Sequence, residues 1–284
     1  MSSEDSVAKS IKQRLLNVAV RRREDYNLLL SRYVALRFLA RLSQSKYAGT
    51  FLLKGATMFL VWSGEMHRPT RDIDLLGLEA RDPDEIKSVI REICQIEGNS
   101  DGIQFDLSTL STFVIREDNP GGGVRATIVA KIGMARQPVK IDIVYGDAVD
   151  FVPVELPTLL IGQPTTKVRG YLVLVAEKFE AMVKLGIANS RMKDFLDLAV
   201  ISDSMALDPK KLKEAINALF QRRGTEFPED RPFSLTEQFW SDPKVNLRWS
   251  SFVKKNRVQT PFDSLKIVCG QIASMIGFAF RPSL

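Results

Sequence analysis

Arg71-Asp72-Ile73-Asp74-Leu75-Leu76-Gly77 is the stretch of this chain whose reading decides the fold. Side chains two apart on a strand point to one face, so a strand here sets Asp72 and Asp74 on one side and turns Ile73 and Leu75 toward a core. Two neighbouring carboxylates repel each other unless a cation lies between them. A donor set made only of oxygen favours magnesium or manganese. On its own, Asp-x-Asp is commonly an exposed edge or turn feature, so the pair takes its meaning from its flanks.

Upstream, Phe51-Leu52-Leu53 is a short apolar strand candidate, broken by Lys54-Gly55 before Ala56-Thr57-Met58-Phe59-Leu60-Val61-Trp62, which reads as a short helix. A strand-to-helix turn of this kind offers free backbone N–H groups and the positive end of a helix dipole to phosphate. Lys54, Gly55, Ala56 and Thr57 are therefore the candidate nucleotide-binding residues; the bland alternative is a plain turn. The P-loop pattern GxxxxGK[ST] is absent.

Downstream, Val139, Ile141 and Ile143 alternate with Lys140 and Asp142 on a second strand. If the two strands are neighbours, Asp142 supplies a third carboxylate. The metal-ligand set is then Asp72, Asp74 and Asp142, suited to two-ion phosphoryl chemistry. Asp142 is also placed to accept the proton of an attacking hydroxyl.

Further out, residues 7–44 carry apolar positions at three and four spacings and predict two leading helices. Asp82-Pro83 opens another, with Asp82 as N-cap and Pro83 in the first turn. Segments 105–116, 125–133 and 139–145 are rich in β-formers and separated by Asn119-Pro120-Gly121-Gly122-Gly123 and Ala135-Arg136-Gln137-Pro138, which predicts an antiparallel meander. From Tyr171 onward the helical period dominates, with helices expected over 173–184, 192–201, 209–221 and 262–280. The reading is an α+β chain: a mixed β-sheet lobe with flanking helices over 1–165, and a C-terminal α-helical lobe over 166–284.

The 284 residues are 45% hydrophobic and 26% charged, ordinary for a folded globular chain. The net charge of +6 suits a polyanionic partner, and equally suits mere solubility. His67 is the only histidine, and Cys94 and Cys269 stand apart without a CxxC pair, which argues against structural zinc and for reduced core thiols. The apolar run 268–280 is interrupted by Gly270, Gln271 and Ser274 and is too short for a bilayer, so it reads as a buried helix with no membrane partner. No export signal is visible at the N-terminus, and a cytoplasmic location is expected.

Taken in order, Lys54-Gly55, Arg71-Asp72-Ile73-Asp74, Asp142 on its strand, Glu177-Lys178 on a helix and Arg191-Met192-Lys193-Asp194-Phe195-Leu196-Asp197 resemble the AbiEii/AbiGii toxin family of nucleotidyltransferases, within the DNA polymerase β-like superfamily. The resemblance runs from about Phe51 to Ile201. It implies the nucleotidyltransferase fold for the sheet lobe. It also implies transfer of a nucleoside monophosphate from an NTP to an acceptor hydroxyl, with magnesium or manganese as cofactor. The implied acceptor is the 3′ end of tRNA, with translation blocked as the result, and the implied controlling partner is a cognate antitoxin.

Carried over by position, the resemblance gives Asp72, Asp74 and Asp142 the catalytic and metal roles. It makes Lys178 the lysine that contacts nucleotide phosphates and Asp197 the later essential acid, with Asp194 as the alternative there. Read by residue type alone, Lys178 is also compatible with a snorkelling surface lysine, and Arg191–Asp194 with an ordinary helical pair. The superfamily usually has Gly-Ser or Gly-Gly where this chain has Gly55-Ala56, which removes a serine hydroxyl that Thr57 is placed to replace. Two other functions stay open at this point: nucleotidylation of a protein or small molecule, and a non-catalytic nucleotide-binding or partner-binding protein.

Overall fold

A computed structural model describes residues 3–62, 70–98, 100–115, 122–146, 151–156, 158–160, 166–171, 174–205, 207–256 and 264–277. Its contacts divide the chain into two units. The first holds the described residues through Tyr171, and the second those from Leu174 on.

The first unit begins with helices α1 (Ser3–Arg22) and α2 (Tyr26–Gln44). Asp25 separates them: its carboxylate accepts from the backbone N–H groups of Asn27 and Leu28, an N-cap that starts α2 where α1 has run out. Strand β1 (Phe51–Lys54) follows, then a 3-10 turn over Gly55–Met58 and a single turn of helix α3 (Phe59–Trp62). Next come β2 (Asp72–Gly77) and α4 (Pro83–Gln95), the latter opened by a capping box between Asp82 and Glu85 with Pro83 in its first turn.

Among the described residues, five strands come after β1 and β2: β3 (Gln104–Ile115), β4 (Gly123–Ile132), β5 (Ala135–Tyr145), β6 (Phe151–Leu156) and β7 (Thr166–Tyr171). They form one sheet in the order β3-β4-β5-β2-β1-β7-β6. The expected antiparallel meander is β3, β4 and β5, but β2 pairs with β5 in parallel and β1 with β7 in parallel, so the sheet is mixed. Helices α2 and α4 pack on it, and Ala126, Ile128, Ala130, Ile132, Ile141 and Ile143 form its buried layer. Arg41 of α2 ties down the segment after α4: its guanidinium donates to Asp101 Oδ2 at 2.7 Å and to the carbonyls of Ile96 and Ile103. Tyr33 donates its hydroxyl to the Asp101 carbonyl.

Two features depart from the sequence reading. Ala135-Arg136-Gln137-Pro138 is the first part of β5, not a loop, because the hairpin turns at Gly133-Met134 with Gly133 at φ 56°. Pro138 is tolerated there because that part of β5 precedes its pairing with β2. Strand β7 lies past the boundary expected at 165/166. It is hydrogen-bonded to β1 and β6, and the contacts divide the chain after it.

The second unit is helical: α5 (Leu174–Leu185), α6 (Met192–Ser204), α7 (Pro209–Arg223), α8 (Glu237–Trp240), α9 (Pro243–Asn256) and α10 (Leu265–Ile276). Its core includes the stacked Phe195 and Phe239 rings, 5.4 Å apart, and the Phe179–Phe220 pair. Val268, Cys269, Ile272 and Ile276 bury the apolar face of α10, as read for that run; the residues from 278 on lie outside the described set. No helix among the described residues is long and apolar enough to cross a membrane.

Candidate functional site

Strand β2 presents its acids as alternation predicts: Ile73 and Leu75 are buried while Asp72 and Asp74 are partly open. Strand β5 lies beside it in parallel, with Asp72 opposite Lys140 and Asp74 opposite Asp142. Residues facing each other across such a pair have side chains on one face, so Asp72, Asp74 and Asp142 share it. The neighbouring strands required by the sequence reading are present.

Gly55 closes this face from the other side. It sits at φ 71°, and a Cβ built on it would overlap the Asp74 carboxylate. Glycine is required twice over: by the left-handed backbone and by the space Asp74 fills. Lys54 stands opposite Asp74 in the antiparallel β1–β2 register. Ala56 and Thr57 follow in the 3-10 turn and are both buried. The helical segment is short there, so local N–H groups rather than a long helix dipole would face a phosphate.

Two cations compensate the acids. Arg125 of β4, in register with Asp142, grips both its oxygens, Nε to Oδ1 at 2.5 Å and Nη2 to Oδ2 at 2.6 Å. Lys140 Nζ lies 2.8 Å from Asp72 Oδ2. Neither Arg125 nor Lys140 was assigned a site role from the sequence. The signal for Arg125 is the hairpin turn: counting back from Gly133-Met134 sets it opposite Asp142.

The fit to a hard divalent cation rests on donor chemistry. The three acids offer only oxygen and share one face, which suits magnesium or manganese. Among the described residues, however, no group of three or more acids, histidines or cysteines is drawn together as a metal cluster. Guanidinium and ammonium groups hold Asp142 and Asp72.

Lys178, Asp194 and Asp197 belong to the second unit and form a cluster of their own. Lys178 Nζ is 2.6 Å from Asp194 Oδ1 and 2.7 Å from Asp197 Oδ2, and all three residues are buried. The snorkelling alternative for Lys178 is therefore not what the fold adopts. Arg191 Nε approaches Asp194 Oδ2 to 2.8 Å without hydrogen-bond alignment. A third buried acid of this unit, Glu180, which the sequence reading passed over, accepts from Arg223 and from the Thr225 hydroxyl, each at 2.6 Å.

Comparison with known proteins adds to this geometry. A family model described as nucleotidyl transferase AbiEii toxin, type IV TA system, matches residues 37–265. No curated protein matches the chain. Among solved structures, JHP933 from Helicobacter pylori is 14% identical with a TM-score of 0.47, covering 87% of this chain and 89% of its own. A second H. pylori structure, titled as that of a nucleotidyltransferase, is 14% identical with a TM-score of 0.43, covering 87% of this chain and 92% of its own.

Proposed function

The chain belongs to the AbiEii family of nucleotidyl transferase toxins of type IV toxin–antitoxin systems, and on that premise we propose that it transfers a nucleoside monophosphate from an NTP to the 3′ end of tRNA on the shared face of β2 and β5. The observation that carries the reading is the register Asp74 opposite Asp142, with Asp72 two residues along the same face and Gly55 pressed against Asp74. Nothing larger than glycine leaves that face open.

In this reaction the acceptor hydroxyl oxygen attacks the α-phosphorus. A P–O bond forms, the bond to the β-phosphate oxygen breaks, and pyrophosphate leaves. Asp72, Asp74 and Asp142 would hold magnesium or manganese, which when bound neutralises charge on the attacking and leaving oxygens. Lys54 and the N–H groups of the 55–58 turn face the phosphates, and Asp142 takes the hydroxyl proton when its oxygens are not engaged by Arg125. Lys178 and Asp197 serve as the family's phosphate-contacting lysine and later acid, with Asp194 holding Lys178 in place. An antitoxin partner and a cytoplasmic setting accompany this reading.

The test offers purified protein each radiolabelled NTP in turn, with magnesium and total tRNA. The expected result is label in tRNA 3′ ends with one or more NTPs, and none with Asp74→Asn. Label in protein or in a small molecule, with none in RNA, would overturn the tRNA assignment but keep nucleotidyl transfer. NTP binding without turnover would overturn transfer itself.

A further inference from the structure

Arg125 meets Asp142 by a fork-to-fork pair across two adjacent strands, with both carboxylate oxygens occupied and only 11% of the Asp142 side chain exposed. Backbone register fixes this pairing, because Arg125 and Asp142 are directly opposed in the β4–β5 ladder. Lys140, one position opposite Asp72 on the neighbouring strand, pairs with that acid by a single contact at 2.8 Å, where both side chains are more open. The two cations thus differ in grip: a planar bidentate guanidinium in a sheltered position, and a flexible ammonium near solvent.

A divalent ion and a guanidinium compensate the same negative charge and use the same oxygen lone pairs. We propose that Arg125 is a built-in counter-cation that competes with the divalent ion for Asp142, and so sets the site's affinity for metal before nucleotide arrives. The inference rests on the reading that Asp72, Asp74 and Asp142 hold that ion. Arg125 acts through Asp142 and is a positioning residue: it keeps the carboxylate oriented, and gives it up to a cation of higher charge. Lys140 is not expected to act so strongly, since its weaker grip on a more exposed acid leaves Asp72 easier to reach.

Competition has a sign opposite to support. If Arg125 only braced the strand or aimed Asp142 at the ion, removing it would weaken metal binding. If it competes, removing it strengthens binding, because Asp142 without its guanidinium attracts the ion more.

The experiment measures Mn²⁺ binding to the full-length, nucleotide-free protein by electron paramagnetic resonance, for wild type, Arg125→Gln, Arg125→Lys and Asp142→Asn. Arg125→Gln is expected to bind Mn²⁺ roughly tenfold more tightly than wild type, and Asp142→Asn more weakly, the scale being that of one sheltered charge pair. Arg125→Lys, which keeps the charge but loses the fork, is expected in between, and it carries the test should Arg125→Gln fail to fold by circular dichroism. Equal or weaker binding by the folded Arg125 variants, with wild type binding Mn²⁺, overturns the competition and leaves the metal reading intact. Absence of Mn²⁺ binding in wild type and Arg125 variants alike overturns both.

Discussion

Gly55 and Asp74 occupy adjoining space so closely that no side chain fits on Gly55 without displacing the Asp74 carboxylate. The Asp74 side chain fills the space a Cβ on Gly55 would need. The left-handed backbone at φ 71° asks for glycine independently of that contact.

Replacing Gly55 with Ala is therefore expected to cost about 1–3 kcal/mol, from the left-handed strain and the collision together, and to abolish nucleotidyl transfer. Urea denaturation measures the first and labelled-NTP transfer the second. Gly49→Ala is the control: nothing lies within 4 Å of its added Cβ, and a change of under about 0.5 kcal/mol is expected there. A Gly55→Ala protein as active as wild type would detach the turn from the reaction.

Asp74→Asn and Asp142→Asn keep size and shape while removing charge, and each is expected to lower transfer at least about 100-fold, the scale of losing one transition-state electrostatic contact. Asp106→Asn is the comparison. Asp106 lies on β3 with Lys131 at 2.8 Å, away from the β2–β5 face, and transfer should be retained. Initial rates at saturating NTP separate the cases.

Lys178 sits between two buried carboxylates, so truncating it takes from both the ammonium they share. Lys178→Met is expected to destabilise the protein by about 3–5 kcal/mol, the range for breaking a buried pair. Asp197→Asn should also destabilise it, and the double variant should lose less than the sum of the two. A denaturation double-mutant cycle reads the coupling; strict additivity would separate Lys178 from Asp197. Loss of activity in Lys178→Met alone would not distinguish chemistry from unfolding, so the cycle must accompany any rate.

Burial pushes the thiols of Cys94 and Cys269 up to about 12. Both are therefore protonated at neutral pH and poor nucleophiles. Ellman's reagent is expected to react with neither in the native protein at pH 8 within minutes, and with both after unfolding in guanidinium. Rapid native reaction of either thiol would contradict the packing around it.

Much of the site was legible in the sequence because strand alternation is a local property. Asp72, Asp74 and Asp142 could be placed on their faces from Ile73, Leu75, Ile141 and Ile143 alone, and the N-cap at Asp82 from its neighbours. The partners of those acids were not legible. Placing the hairpin turn at Ala135–Pro138 instead of Gly133-Met134 lost the register that sets Arg125 against Asp142, and register is a property of two strands at once. Strands β6 and β7 were missed for the same reason: Thr166–Tyr171 carries Lys167, Arg169 and Gly170 and becomes a strand by pairing with β1 and β6. The burial of Lys178 was hidden because its two acids lie a helix away in sequence.

The parallel pairing of β1 with β7 also sets an order of events during synthesis. The strand that delivers Lys54 and Gly55 has hydrogen-bonding partners on both sides only once residues 166–171 have been made. A nascent chain that has left the ribosome only as far as β5 already carries every acid of the shared face, yet one side of β1 is still open. A nucleotidyltransferase built this way stays unfinished until more than half of its chain has been made.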